Sequence, residues 1–452
     1  MKKVVVIGGG PAGIRFSRQI KVALKDKVDV TMFMPEKNSA IYCAIPYAIE
    51  GLIEPEKVAK SDSLVTEVGV NLHHKKVTSV DFGNRKVYDD EGKAYEYDEL
   101  FIATGSINFV PPIEGVDLAN VMTVKFIEDM EKILERIENG AKKAVVVGAG
   151  AIGNELATAF VRRGLETYLV EMKDRVLPNM VDSDFADDLN EEHIKNGVKL
   201  LLEAKLERLE GNKWAEKVYI RLKDGSEKVI ELSEVDFVVF AVGVRANVEL
   251  FKDSPLMIGR DGIIVDSRMR TNLPGVWAAG DVCQYYSLID GAPLGGKLAT
   301  NAVPMAKVAA FNFLGVHEIT YKGFLNAAAS VVYETRVAAV GFTEEVAKMR
   351  GYDPVSAVGE GHTKFPIMPG VQKVKVKLIA DRNTKRIIGA QFKGPYAIAE
   401  WNNTMSVFIQ NKGTIYDVFD FNYTAQPHQS DFPGVGWLSD TAAQLIKKLR
   451  AK

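Results

Sequence analysis

The sequence predicts an α/β protein with two Rossmann-like units, followed by a C-terminal α+β domain. Three observations predict it. A β-branched run, a glycine turn in GxGxxG spacing and a helical pattern follow one another over residues 3–24. The same plan returns about 140 residues later. From about residue 322 the texture changes to alternating strand patterns closed by helices. Strand, glycine turn and helix in that order mark a dinucleotide-binding unit, whereas antiparallel strands with segregated helices mark α+β architecture.

The first unit opens on KVVVIGGGPAG, residues 3–13, and continues into the helical pattern IRFSRQIKVALK. Gly8 permits the tight turn, Gly10 lets the backbone approach a pyrophosphate, and Gly13 lets helix pack on strand, with phosphate held at the helix N-terminus. The next strand, VDVTMFM, runs into Met34-Pro35, so the nearest carboxylate for a ribose is Glu36. A solvated loop position is the alternative reading of Glu36.

The second unit is KAVVVGAGAIGNELATAF, with Gly148, Gly150 and Gly153 between a valine strand and an alanine-rich helix. Two such units imply two dinucleotides. Glu171 ends the next strand about twenty residues after the glycines, the position that takes a ribose 2′-hydroxyl. A carboxylate there repels a 2′-phosphate and favours NADH, while Lys173 and Arg175 close behind keep NADPH open.

Three further strands end in small residues, as close approach of backbone to a cofactor requires: LFIATGS at 100–106, FVVFAVGVRAN at 237–247 and GVWAAGDVCQ at 275–284. Asp281 stands at the C-terminal end of the last, where open α/β sheets bind ligands and a carboxylate accepts a hydrogen bond from a polyol such as ribitol. Capping of the next turn is the alternative for Asp281. In the third region, SVVYETRVAAVGF and VQKVKVKLIADRNTKRIIGAQFKG read as strands, DRNTKR as a hairpin connection, and IAEWNNTMSVFIQNKG as a helix.

Composition narrows the function. A chain of 452 residues, 47% hydrophobic, has room for about three domains. A net charge of −2 without basic tracts gives no field for nucleic acid or an anionic membrane. No apolar run approaches the ~20 residues that span a bilayer, and the N-terminal apolar run breaks at glycines instead of a cleavage site. A cytoplasmic location is expected. The two cysteines, Cys43 and Cys283, make neither a disulfide framework nor a structural metal site, and no metal is expected. Cys283 reads as packing; Cys43 is either packing or chemistry.

GGGPAG near the N-terminus, ATG at 103–105, GAGAIGNE at 148–155, VGVRAN at 242–247 and AAGD at 278–281 resemble, in order and over the whole chain, the flavin-dependent pyridine nucleotide-disulfide oxidoreductases. The resemblance implies that the first unit binds FAD, the second NAD(P)H, and the last domain forms a homodimer interface reaching into the partner's active site. It implies an FAD-binding domain over 1–113 and 244–321, an NAD(P)H-binding domain over 114–243 and a dimerisation domain over 322–452. It assigns Gly8, Gly10, Pro11, Ala12, Gly13, Glu36, Ala103, Thr104, Gly105, Asp281 and Ala299 to FAD. To the nicotinamide nucleotide it assigns Gly148, Gly150, Ile152, Gly153, Glu171 and Gly243. Glu155 matches the family's acid beside the nicotinamide; as sequence alone it is also a solvated helix residue.

The segment NSAIYCAIPYAIEG sets the branch. Two-cysteine members of the family carry CxxxxC, and Ala48 stands where the second cysteine would be. A lone cysteine before IPY is similar instead to coenzyme A-disulfide reductases, NADH oxidases and NADH peroxidases, whose thiol cycles through a mixed disulfide or a sulfenic acid. A short helix beginning near Pro46 would stabilise a Cys43 thiolate. The first glycine loop lacks the histidine of peroxidases, and Gln426-Pro427 replaces the His-Pro of two-cysteine reductases. Tyr423, from a partner subunit, becomes the candidate acid, with His428 second. IMPG, with Ile367 and Met368, departs from the YYPG of coenzyme A-disulfide reductases. Gln19 and Ser39 match the family's coenzyme A region, while Arg15, Arg18 and Lys21 supply charge for phosphates or form a solvated helix face.

The expected protein is a homodimeric FAD enzyme that passes electrons from NADH to Cys43 and on to a small disulfide, persulfide or polysulfide, coenzyme A disulfide leading. The alternatives are an NADH oxidase reducing oxygen and an NADH-binding flavoprotein sensor with little turnover.

Overall fold

A computed structural model describes residues 1–395 and 398–450. The first sheet has five parallel strands in the order 276–278, 99–102, 2–7, 28–33 and 71–73. Its centre is the run Val4 to Ile7, buried on both faces, as parallel strands covered by helices must be. The helix Pro11–Leu24 covers one face through Ala12, Phe16 and Ile20, and Phe16 stacks on Phe101 with ring centres 3.9 Å apart. The edge strand Val276–Ala278 and the covering helix Ala299–Phe313 come from much later in the chain.

The second sheet repeats the plan in the order 121–123, 237–240, 143–147, 166–170 and 199–201, again parallel. A two-stranded antiparallel ribbon, Ser106–Asn108 against Val244–Ala246, carries the chain out of the first unit and back. The third region is a five-stranded antiparallel sheet, ordered 328–332, 335–341, 387–394, 373–381 and 354–362, backed by the helices Ile398–Gln410 and Trp437–Arg450.

SVVYETRVAAVGF is not one strand. It folds as a hairpin around Tyr333 and Glu334, with Tyr333 in the left-handed region at φ 47°. DRNTKR does connect two antiparallel strands, with Lys385 at φ 62° making the turn. No helix among the described residues is long and apolar enough to cross a membrane.

Candidate active site

Both glycine turns form open cradles. Gly8 has φ +114°, and a Cβ there would lie 2.1 Å from the Ala103 carbonyl oxygen; one on Gly13 would lie 1.9 Å from the Gly8 oxygen. A Cβ on Gly10 would meet nothing nearer than the Tyr42 hydroxyl at 3.8 Å. The second turn matches: a Cβ on Gly153 would sit 1.8 Å from the Gly148 oxygen, while one on Gly150 would face open space. The outer glycines close strand onto helix, and the middle ones leave room for a phosphate. Gly105 and Gly243, at two of the strand ends, also face open space, and Ile152 is exposed beside the second cradle.

Segments far apart in sequence complete the first cradle. Pro11 opens its helix, buried Ala12 packs with Ala302 against Gly280, and Ala299 opens the neighbouring helix. Asp281 accepts hydrogen bonds from Ser106 Oγ at 3.0 Å and Tyr285 Oη at 2.9 Å, so these hydroxyls, not a turn cap, orient its carboxylate. Thr104, in the same strand-end turn as Ala103, donates to the Asn247 carbonyl at 2.8 Å. A small cleft joins Glu36 to Gly9, Met34, Ser39 and Tyr42.

Lys125 went unrecognised in the sequence. Its half-buried ammonium donates to Ser106 Oγ at 2.5 Å, and burial pushes its pKa down to about 8 against the pull of Asp281 and Glu36. A half-buried cation in the same region as an open phosphate cradle fits an anionic dinucleotide, so these residues suit FAD.

Cys43 is exposed in the single turn Tyr42–Ala44, directly before the helix Ile45–Glu50, whose first turn holds Pro46. That short helix packs on the second unit, not on its own sheet: Ile45, Ala48 and Ile49 join the core of Leu156 and Phe160. Glu50 pairs with Arg162, and Arg163 Nε donates to the Ile49 carbonyl at 2.7 Å. Ala48 is fully buried, so the place of a second cysteine belongs to the core.

Three side chains give the thiol its setting. Lys60 is half-buried, its pKa lowered by burial and raised in part by Cys43. Tyr47 lies one helical turn after Cys43, and burial followed by Glu155 raises its pKa well above that of a free phenol. Glu155 is no solvated helix residue. It accepts from Ser330 Oγ at 2.9 Å and bonds to Tyr47, yet burial outweighs both and pushes its pKa up to about 7. The network extends through Asn154, which donates to Ser330 Oγ at 3.4 Å and accepts from buried His193 at 2.5 Å. Cys283, by contrast, is fully buried, and burial pushes its thiol up to about 12.

At the second cradle, Glu171 stands at the strand end, accepting from the Ala149 amide at 2.8 Å and the Lys173 amide at 2.9 Å. Both cations behind it are engaged by Glu345, from the third region.

Tyr423 and His428 are exposed on the C-terminal segment, the Tyr423 hydroxyl on the Pro433 carbonyl at 3.2 Å. Among the described residues no hydrogen bond or ion pair joins either to the Cys43 segment of the same chain. Arg15 is exposed, whereas Lys21 turns back onto the Val28 carbonyl at 2.9 Å and Arg18 onto that of Leu64. Among the described residues, Gln19 Oε1 and Ser39 Oγ are buried without a hydrogen-bond partner.

Residues 2–306 match the pyridine nucleotide-disulphide oxidoreductase model, and residues 327–434 match that family's dimerisation domain. The chain belongs to this family. It is an oxidoreductase dependent on FAD and a nicotinamide nucleotide, carrying a dimerisation domain. It is 34% identical to an NADH oxidase of Methanocaldococcus jannaschii, over 100% of both chains. It is also 34% identical to an NAD(P)H coenzyme A polysulfide/persulfide reductase of Pyrococcus horikoshii, over 87% of each. In structure it resembles the NAD-dependent persulfide reductase of A. fulgidus, with a TM-score of 0.91 and 28% identity over 99% of this chain and 83% of that one.

Proposed function

We propose that the chain is an NADH-dependent reductase of small disulfides, persulfides or polysulfides, in which Cys43 is the only redox thiol. The setting of Cys43 carries this reading. The thiol is exposed, a lysine lies beside it, a hydrogen-bonded Tyr47–Glu155 pair follows one turn later, and Ala48 fills the place of an internal partner. Relatives named for coenzyme A polysulfide reduction and persulfide reduction support the same acceptor class. The first sheet with the later strand and helix makes an FAD-binding domain over 1–113 and 244–321, with the nucleotide domain at 114–243 and a homodimer-forming domain at 322–452. Gly8, Gly10, Gly13, Glu36, Lys125 and Asp281 hold FAD; Gly148, Gly150, Gly153 and Glu171 hold NADH.

The Cys43 thiolate attacks one sulfur of the acceptor, forming a mixed disulfide and expelling the other sulfur as a thiolate or hydrosulfide. FAD, held by the first cradle, would supply the two electrons from NADH that such a mixed disulfide requires to return the Cys43 thiolate and release the second sulfur as an anion. Lys60 offsets negative charge at Cys43. Tyr47, kept protonated by its raised pKa, bonds to Glu155, and Glu155 holds a proton close to neutral pH. Tyr423 of the partner protonates the leaving sulfur, with His428 the second candidate. The unpartnered Gln19 Oε1 and Ser39 Oγ, with exposed Arg15, suit a coenzyme A-type thiol.

The second reading, an NADH oxidase, is favoured by the Methanocaldococcus relative. Cys43→Ser separates the two. Disulfide or persulfide reduction is expected to fall at least ~100-fold, with flavin content and slow NADH-dependent oxygen uptake retained. Full sulfur-acceptor turnover in this variant would overturn the lone-thiol reading.

A further inference from the structure

The loop after Glu171 carries two cations at the position that would recognise a 2′-phosphate, and both are occupied by a carboxylate from another part of the chain. The helix Glu344–Met349 begins at Thr343, whose hydroxyl accepts from the Val346 amide at 3.2 Å. Glu345, in its first turn, divides its carboxylate: Oε1 takes Lys173 Nζ at 2.7 Å, and Oε2 takes Arg175 Nη2 at 2.9 Å. Lys173 and then Arg175 hold Glu345 below the usual carboxylate range.

The two cations differ in availability. Arg175 is buried with four of its five N–H donors engaged: besides Nη2 on Glu345, Nε bonds to the Val181 carbonyl at 2.8 Å, Nη1 to Asp174 at 2.5 Å, and Nη2 also to the Pro178 carbonyl at 3.3 Å. Lys173 is half-exposed at the rim, and the Glu171 carboxylate accepts its backbone amide. Its ammonium is the cation able to swing towards a ligand. A ribose 2′-hydroxyl adds no charge and needs only Glu171. A 2′-phosphate adds a charge of about −2, and there it meets Glu171, Asp174 and Glu345 with no free cation among these groups.

We propose that Glu345 is a specificity-determining residue for the nicotinamide nucleotide: by neutralising Lys173 from the third domain, it holds the site to NADH and against NADPH. The proposal rests on the assignment of Gly148 to Glu171 as the nucleotide site. Glu171 supplies the direct discrimination; Glu345 withholds the compensating charge. The nucleotide preference of one domain is thereby tied to the seating of another.

Calorimetric titration of the purified flavoprotein with NAD⁺ and NADP⁺ tests it, alongside kcat/KM for NADH and NADPH. In Glu345→Gln, NADP⁺ is expected to bind about three- to tenfold more tightly while NAD⁺ stays within about twofold. Adding Lys173→Ala to Glu345→Gln is expected to remove that gain. An unchanged ratio of NADP⁺ to NAD⁺ affinity in Glu345→Gln, or a gain surviving the loss of Lys173, would overturn the proposal. Wild-type protein that binds neither nucleotide would instead overturn the site assignment on which it rests. Flavin content and thermal midpoint report folding, and a fold defect would weaken both nucleotides together instead of changing their ratio.

Discussion

At Glu155 burial decides the outcome against two hydrogen bonds, and the consequence is measurable. Its pKa rises from an ordinary 4.5 to about 7 in the folded chain. Below 4.5 the group is neutral in both states and its contribution to stability is whole. Between 4.5 and 7 the unfolded chain releases the proton while the folded chain keeps it, so stability is lost as pH rises and levels off above 7. The full shift corresponds to about 3 kcal/mol. Glutamine fills the same space without titrating. The thermal midpoint of Glu155→Gln relative to wild type is therefore expected to climb by on the order of 2 °C between pH 4.5 and 7.5. A constant difference would contradict the raised pKa. His193, held down to about 4 by burial, acts in the opposite sense but is common to both proteins and cancels. Residue-scale legibility divides along the same line. Cys43, Glu171 and the glycines announce themselves because each stands in a short sequence motif of fixed spacing. Lys125 and Glu345 do not, since their partners lie 19 and 172 residues away. Tyr47 left one signal: a phenol four positions after the cysteine, at helical spacing.

Among elements, the strand–turn–helix units were the most readable, because strand, glycine turn and helix follow one another within about twenty residues. The last two glycines of the second unit separate folding from binding. A methyl at Gly153 would lie 1.8 Å from a backbone oxygen inside the unit, whereas one at Gly150 meets no protein atom. Gly150→Ala is expected to fold with full flavin and lose about tenfold or more in NADH affinity, because the methyl takes the space of the pyrophosphate. Gly153→Ala is expected to lower the thermal midpoint and yield of folded protein, because helix and strand must move apart. Equal effects on folding from both would refute the division. The hairpin at Tyr333 was missed because no glycine or Asn-Gly pair marks it: a tyrosine takes the left-handed conformation, and its apolar flanks read as one strand. There the turn owes its place to packing, since Val332 and Tyr333 are buried in the core of the second unit.

For the whole molecule, sequence patterns indicate three regions without showing what locks them together, because that lock is electrostatic and distant in sequence. Lys377, in the third region's sheet, is almost fully buried with its ammonium 2.5 Å from Asp184, 2.7 Å from Glu344 and 3.3 Å from Asp182. Burial alone would lower its pKa, but the bonds to Asp184 and Glu344 outweigh it and leave it raised. Asp182 and Asp184 lie in the nucleotide unit and Gln391 adds a bond to Asp182 at 2.6 Å, so this buried network joins the two regions beside the helix of Glu345. A buried ion pair is weak evidence of net stabilisation, yet removing one member leaves its partners charged and unpaired, at a cost of about 3 kcal/mol or more. Lys377→Met is therefore expected to lower the midpoint for release of the third region by several degrees. The deficit should shrink as pH falls towards 5, because burial of Glu344, no longer opposed by the Lys377 bond that lowers its pKa, then favours the protonated carboxyl. Lys223→Ala, which breaks an exposed pair with Glu203, is expected to change stability by less than about 1 kcal/mol. Differential scanning calorimetry across that pH range decides the matter: a Lys377→Met deficit no larger than that of Lys223→Ala, or one that grows as pH falls, would show that apolar packing and not this network holds the regions together.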